Sequence, residues 1–522
     1  MCEIRSRANA LLDAVSRAPL SSRHSFSWSA MRLSTIDVAV LAIYLAGITI
    51  FGARFRRGQR NIKDYFLGGR TAPWWALALS IVATETSTLT IIGTPALAYG
   101  GNSTFLQLVF GYVVGRIILA ALFIPRFFRG EFYTAYQLIE RRFGARAKSA
   151  AALTFLVTRA LAEGVRIAAI ATVVQIAFGT GQSTSVVLIL LLTLFYTWEG
   201  GMKAVIWTDV IQTFIYLGGS AAAFFLILHR IPGGWEHVAN VAATHGDKFR
   251  VFDFRFSFTE AAHTYTFWSG VIGGTFLTMA SHGTDQTIVQ RLLAASSRRQ
   301  AQLALLASAV IVLFQFALFL VLGVMLYAFN GAPALTAGQS YDSVFPIFIV
   351  TQMPTGLRGI VLAAIFAVAM SNASGSLNSL AASSVIDFKT LRGTAADPNA
   401  NDPARILRLS RWMTLAWGAA LLVLGMQHWG PLLPAGLKIA SITFGSLLGL
   451  FLLSFYNARA NAMGAITGMV AGMLAMLYIV TSTNVVWTWY VLIGTLVTFA
   501  AGSLASLLGP AAPKISEHGF ST

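Results

Sequence analysis

Apolar runs of about 20 residues, the length that crosses a hydrocarbon core of about 30 Å as a helix, recur along the chain from Ile36 to Leu508. Their approximate bounds are 35–53, 74–98, 103–125, 149–178, 183–198, 203–228, 263–290, 302–329, 357–386, 409–426, 435–456, 462–480 and 487–508. The pattern predicts an all-α membrane protein with about thirteen transmembrane helices. Two runs break the apolar monotony. The second, WWALALSIVATETSTLTIIGTPALA from Trp74 to Ala98, carries Glu85 near its centre. A carboxylate at bilayer depth costs roughly 2.5–3.5 kcal/mol on insertion scales, which makes it a functional-site candidate. Around it Thr84, Thr86, Ser87, Thr88 and Thr90 supply more oxygen than packing requires, and Gly93 and Pro95 interrupt the helix after it.

The ninth run, VLAAIFAVAMSNASGSLNSLAASSVID from Val361 to Asp387, is studded with small polar side chains. At roughly 100° per residue, Ser371, Ser374 and Asn378 share one stripe, and Asn372, Ser376, Ser379 and Ser383 share a second. Such stripes fit close packing of membrane helices. They equally fit an oxygen shell for a small hard cation, which a partner helix with freed carbonyls has to complete. The Glu85 segment is the candidate partner.

Composition excludes several classes. With 56% hydrophobic and 11% charged residues over 522 positions, the chain is not a set of soluble domains. Its single cysteine, Cys2, rules out an intrachain disulfide framework and a cysteine-based metal site. No P-loop or dinucleotide fingerprint lies in a strand-to-helix setting, and no paired acids or nucleophile–base set stands out, so no enzyme, ATP site or redox cofactor is implied.

The net charge of +17 would suggest a nucleic-acid partner in a soluble chain, but here it is distributed by connection. The first, third and ninth connections carry Arg54, Arg56, Arg57, Arg60, Lys63 and Arg70, then Arg126, Arg129, Arg141, Arg142, Arg146 and Lys148, then Lys389, Arg392, Arg405, Arg408 and Arg411. Connections two, four, eight, ten and twelve carry no Lys or Arg. The positive-inside rule then predicts an inner-membrane protein, N-terminus outside and C-terminus cytoplasmic, with a lipid bilayer and no nucleic acid as partner. Arg5, Arg7, Arg17 and Arg23 contradict an exported leader, and residues 1–33 lack the core of a signal peptide. They are expected to be a disordered leader, with translation starting at Met31, ahead of one transmembrane domain over 34–508 and a short tail over 509–522.

Arg159, Glu163 and Arg166 in the fourth run are spaced i, i+4, i+7 and share one face, net positive. Either they and Glu85 form structural ion pairs, Glu85 with Arg166 or Arg159 with Glu163, or Arg166 holds a solute carboxylate while Glu85 meets an amine or tunes a cation.

These residues resemble the sodium/solute symporter family, which holds sodium-coupled glucose, proline, iodide, multivitamin and monocarboxylate carriers. DYFLGGR at 64–70 is similar to its lead-in to the second helix, YTWEGGMKAVIWTDVIQ at 196–212 to its Y-[ST]-x-x-G-G and W-T-D-x-x-Q motifs, and TDQTIVQR at 284–291 to the inner end of its seventh helix. ATETSTLTIIGTP, SNASGSLNSLAASSVID and GSLLGLFLLS look most like the iodide, multivitamin and monocarboxylate branch.

The resemblance implies two inverted five-helix repeats, about 74–228 and 263–456, with helices 2 and 7 broken in the Gly/Ser/Thr-rich stretches 83–93 and 273–286. It implies a sodium site of the carbonyls of Ala83, Thr86 and Val368 with side-chain oxygens of Ser371 and Asn372, where the family usually has Ser or Thr at position 372. Asp209 corresponds to an acid on sodium's inner exit path, or is an acid in the early turns of a helix. Asp285, Gln286, Gln290 and Arg291 are expected to fix the end of helix 7. Aromatic residues of the sugar carriers align with Ser281 and His282, which turns the expectation from sugar to a carboxylate or amino acid bound by Glu85, Thr88, Arg166, Ser281 and His282. The implied function is sodium-coupled import of a small solute by alternating access, with sodium as the coupling ion and no other cofactor. A transporter-like sensor and a sodium/sugar symporter are the alternatives; the sequence sets no oligomeric state.

Overall fold

A computed structural model describes residues 33–54, 67–128, 135–196, 202–336, 340–389 and 403–510, and every regular element among them is a helix. In chain order the principal helices are α1 (Thr35–Ala53), α2 (Trp74–Glu85), α3 (Thr88–Gly100), α4 (Leu106–Leu122), α5 (Tyr136–Phe178), α6 (Gln182–Tyr196), α7 (Met202–Arg230), α8 (Gly234–Thr244), α9 (Phe267–Gly283), α10 (Gln286–Leu293), α11 (Arg298–Phe329), α12 (Val344–Gln352), α13 (Leu357–Lys389), α14 (Pro403–Gly425), α15 (Leu432–Tyr456), α16 (Ala462–Ser482) and α17 (Tyr490–Ala505). Among the described residues nine helices are long and apolar enough to cross a bilayer, and the bent pair α2–α3 makes a tenth crossing if taken as one span. The other expected crossings fall on shorter helices: α6, α9, and the apolar part of α14 from Trp412 to Gly425. The leader with Cys2 and Met31, much of the first and ninth basic connections, and the tail after Pro510 lie outside the described residues.

The second span breaks where helix-favouring residues give way to Thr84-Glu85-Thr86-Ser87-Thr88. β-Branched and hydroxylated side chains lose rotamer freedom in a helix or compete for its backbone groups. Thr86 (φ −77°, ψ 98°) and Ser87 (φ −99°, ψ 175°) are extended, and α3 leaves at 66° to α2.

The seventh span also breaks within its expected stretch. Its glycine-rich part stays helical, and the break falls at Thr284–Asp285, at the far edge of the predicted stretch. Asp285 caps α10 by accepting from the Thr287 amide at 2.7 Å. The glycines serve packing instead: a Cβ on Gly274 would lie 2.2 Å from the Leu108 carbonyl, and one on Gly111 2.5 Å from that of Val271. Only side-chain-free positions let α4 and α9 approach this closely, and this seam sets Arg116 beside His282.

The far end of α3 is closed by a lysine. Lys248 is buried, and its Nζ donates to the carbonyls of Tyr99 (2.7 Å) and Gly101 (3.1 Å) and lies 3.8 Å from the Tyr327 ring centre. An amine on the last carbonyls satisfies acceptors that a helix leaves open and sits at the negative end of its dipole. Lys248→Met keeps the stem and orphans those carbonyls; a loss of about 1–3 kcal/mol is expected in reversible unfolding of purified protein.

Candidate functional site

A cavity of about 150 Å³ lies between the α2–α3 break, α4, α5, α9, α10 and α15. Charged residues on its wall are Glu85, Arg159, Arg166 and Asp285, together with Ser281 and His282. Of the expected solute residues, Thr88 is elsewhere: it lines a separate small cavity of about 10 Å³ with Ser87, Glu163, Arg166 and Asn372. Ser87 and Arg166 belong to both walls.

Glu85 sits on the last turn of α2 and pairs with Arg116 of α4, not with Arg166. Nη2 of Arg116 is also 3.1 Å from Nε2 of His282, which lies 3.6 Å from the Glu85 carboxylate. Because a guanidinium only donates, Nε2 accepts, so the imidazole proton is on Nδ1 and points to the Ser281 hydroxyl at 2.8 Å. Arg116 is wholly buried, and its Nε and Nη1 have no hydrogen-bond partner among the described residues. Sequence reading passed over Arg116, although the signal that singled out Glu85 applies to it equally. One guanidinium inside LQLVFGYVVGRIILAAL carries the same insertion cost and needs a partner.

The charged face of α5 forms a second cluster. Glu163 accepts from the Ser376 hydroxyl at 2.6 Å and lies 3.3 Å from Arg166 and 3.9 Å from Arg159. Arg159 donates through Nε to Ser376 Oγ at 2.8 Å and reaches Asp285 at 3.8 Å. The expected Arg159–Glu163 pair is therefore present within a larger network. Asn372 and Ser376, of one polar stripe on α13, both face this network. Of the other stripe, Ser374 is buried, while the side chains of Ser371 and Asn378 lie outside the described residues.

At the break the backbone is left open. Among the described residues no hydrogen bond reaches the carbonyls of Ala83, Thr84, Glu85 or Thr86, because the chain leaves the helix before the amides four residues on can return to them. The Thr86 side chain is turned away to Gln315, which donates to its hydroxyl at 2.8 Å and accepts from Tyr216 at 3.0 Å. Ala83, Thr86 and Val368 are buried. Ser87 and Thr88 meet Ala369, Asn372 and Ala373 across the small cavity, so the break and α13 adjoin, as an oxygen shell shared between them requires.

Asp209, on α7, accepts from Ser80 at 2.6 Å and from Arg291 Nη2 at 3.0 Å, and Arg291 Nε donates to Ser80 at 2.9 Å. This closed ring ties α2, α7 and α10 together. Arg291 thus engages a carboxylate on another helix in addition to the Thr287 carbonyl of its own (2.8 Å), and Gln286 accepts from the Ala135 amide at 2.8 Å.

Residues 65–472 match the sodium:solute symporter family. The chain is 30% identical to the sodium/sialic acid symporter SiaT of Proteus mirabilis over 92% of its own length and 97% of that protein. It is 30% identical to the human sodium/iodide cotransporter over 85% of this chain and 69% of that one. Human sodium-coupled monocarboxylate transporter 1 is also 30% identical, over 84% and 72%. A substrate-bound, outward-open structure of a Na+-coupled sialic acid symporter superposes with a TM-score of 0.79 at 29% identity, covering 92% of this chain and all of that one. An inward-facing Mhp1 structure, at 12% identity and a TM-score of 0.51, shares the fold. The chain belongs to the sodium:solute symporter family, sodium-coupled transporters of small solutes that are not enzymes.

Proposed function

We propose that this protein imports a small organic monoanion, a carboxylate, together with sodium by alternating access. The observation that carries the reading is the charge balance of the cavity. Glu85 is matched by Arg116, Asp285 by Arg159, and Glu163 by Arg166. A carboxylate entering alone adds an uncompensated negative charge to the site, and sodium entering alone adds a positive one. Together they leave the site neutral, which makes each ligand favour the other by the same factor. Sialic acid, monocarboxylate and iodide, named for the relatives, are all monoanions.

In this reading sodium is held by the carbonyls of Ala83, Thr86 and Val368 and by side-chain oxygens of Ser371 and Asn372. The open carbonyls at the break support it. Asp209 serves sodium's inner exit, and its bond to Arg291 has to loosen for that. Arg166 receives the carboxylate, and the uncharged edge formed by Ser281 and His282 meets the body of the solute. Residues 34–508 act as one transporting domain in the inner membrane, with the basic connections and the C-terminus in the cytoplasm.

Proteoliposomes with and without an inward sodium gradient test the reading on labelled lactate, nicotinate, sialic acid, iodide, proline and glucose. Uptake of a carboxylate only with the gradient is expected. Sodium-independent accumulation throughout overturns symport, binding without flux favours a sensor, and gradient-driven uptake of glucose alone overturns the anion assignment. Ser371→Ala is expected to raise the sodium concentration for half-maximal uptake at least about tenfold, a loss of about 1.4 kcal/mol.

A further inference from the structure

The cavity of about 10 Å³ beside the solute site has an unusual wall. Three of the residues that line it each carry a buried polar atom with no hydrogen-bond partner among the described residues: Oγ1 of Thr88, Nδ2 of Asn372 and Nε of Arg166. They come from three helices, α3, α13 and α5, and all three can donate. Thr88 is 1% exposed. It opens α3, whose N-cap Ser87 makes no side-chain capping bond, so the positive end of that half-helix faces the same region. Buried donors without acceptors are costly, about 1–3 kcal/mol each, and native folds keep few of them without a purpose. The volume suits one water-sized group.

Glu163, the one acid on this wall, is already engaged by Ser376, Arg166 and Arg159. The guanidinium nitrogen and the amide nitrogen cannot serve a cation, because neither offers it a lone pair. What these donors lack is an acceptor oxygen. The cavity shares Ser87 and Arg166 with the solute cavity, so one oxygen of a bound solute can enter while the rest of the molecule stays outside.

We infer that Asn372, with Thr88 and Arg166, forms an oxygen-binding subsite for the solute's carboxylate. This rests on the carboxylate reading above and gives the amide at position 372 two tasks. Its oxygen remains available to sodium, whereas its NH₂ group donates to the solute. A hydroxyl at this position can serve sodium through its oxygen, but its single O–H lacks the reach of the amide. One side chain would then touch both ligands, so the occupancy of each site sets the orientation the other needs. This is a direct physical route for coupling.

Three substitutions separate the tasks. Asn372→Ser keeps an oxygen for sodium and removes the amide donor, Asn372→Asp keeps oxygen and turns the donor into a charge that repels carboxylate, and Thr88→Val removes the hydroxyl alone. Sodium-driven uptake of labelled lactate, sialic acid and nicotinate is measured in proteoliposomes, with sodium binding and thermal unfolding followed on the purified variants without solute. In Asn372→Ser and Thr88→Val the KM for the transported carboxylate is expected to rise roughly tenfold or more, as for loss of a charge-assisted hydrogen bond, while the sodium half-saturation shifts much less. Asn372→Asp is expected to lose carboxylate uptake and bind sodium at least as tightly. A change confined to sodium affinity makes the amide a sodium ligand only and overturns the subsite. Unchanged KM values, or lowered unfolding temperatures alone, mean that the cavity holds a structural water, and they overturn it too. If the unaltered protein carries none of lactate, sialic acid and nicotinate in a sodium-dependent way, the carboxylate reading fails first and the subsite with it.

Discussion

Arg116→Ala is expected to destabilise the protein by about 3–5 kcal/mol, the range for removing one partner of a buried ion pair. The truncation strands the Glu85 carboxylate with only His282 beside it, at 3.6 Å. The imidazole can compensate only by taking up a proton, and it then loses the arrangement in which Nε2 accepts and Nδ1 serves Ser281. The cost therefore falls on the fold and on the solute wall together. Reversible unfolding of purified protein measures the first part. A second variant separates charge from shape: Glu85→Gln combined with Arg116→Met removes both charges at similar volume and should recover most of the lost stability. Wild-type stability in Arg116→Ala would mean that the pair is dispensable, and a double variant no better than the single one would place the loss in packing.

Arg166→Ala should abolish carboxylate uptake while leaving sodium binding in place. Removing a guanidinium that meets a carboxylate away from water costs about 2–5 kcal/mol, a fall of roughly 30-fold or more in affinity. The fold tolerates this change better than the previous one, because Glu163 keeps Arg159 at 3.9 Å and the Ser376 hydroxyl at 2.6 Å. Arg166 is also the more exposed partner in its pair, with 22% of its side chain accessible against 1% for Glu163. Sodium binding by the purified variant supplies the control. Sodium-driven carboxylate uptake at the wild-type rate in Arg166→Ala would refute the recognition role.

The two variants differ in how much of their setting was readable in the chain. Arg166 is legible because it shares a helical face with Arg159 and Glu163, and a period of 3.6 residues is a local property. The same holds for the break at Thr86: hydroxylated and β-branched residues next to a buried acid disfavour helix by their own chemistry. The partner of Glu85 is not local. Arg116 lies 31 positions away and His282 still further, and they meet because Gly111 and Gly274 let α4 and α9 approach almost backbone to backbone. A run of glycines in sequence reads equally well as a helix break or as a packing face, and in the seventh span the glycines pack while the break falls at the end of the expected stretch, at Thr284–Asp285.

By itself the sequence determined the apolar spans, the alternation of basic connections, the costly intramembrane charges and the oxygen-rich segments, since each follows from residue chemistry or from a repeat of a few positions. Only the tertiary structure decided which charges neutralise one another, that Asp209 is enclosed by Arg291 and Ser80, and that Thr88 and Asn372 open onto one small cavity beside the solute site. The physical reason is the same in each case. A buried charge or donor must find its partner across a helix–helix contact, and which contacts form is set by shape complementarity over the whole bundle rather than by any one stretch of chain.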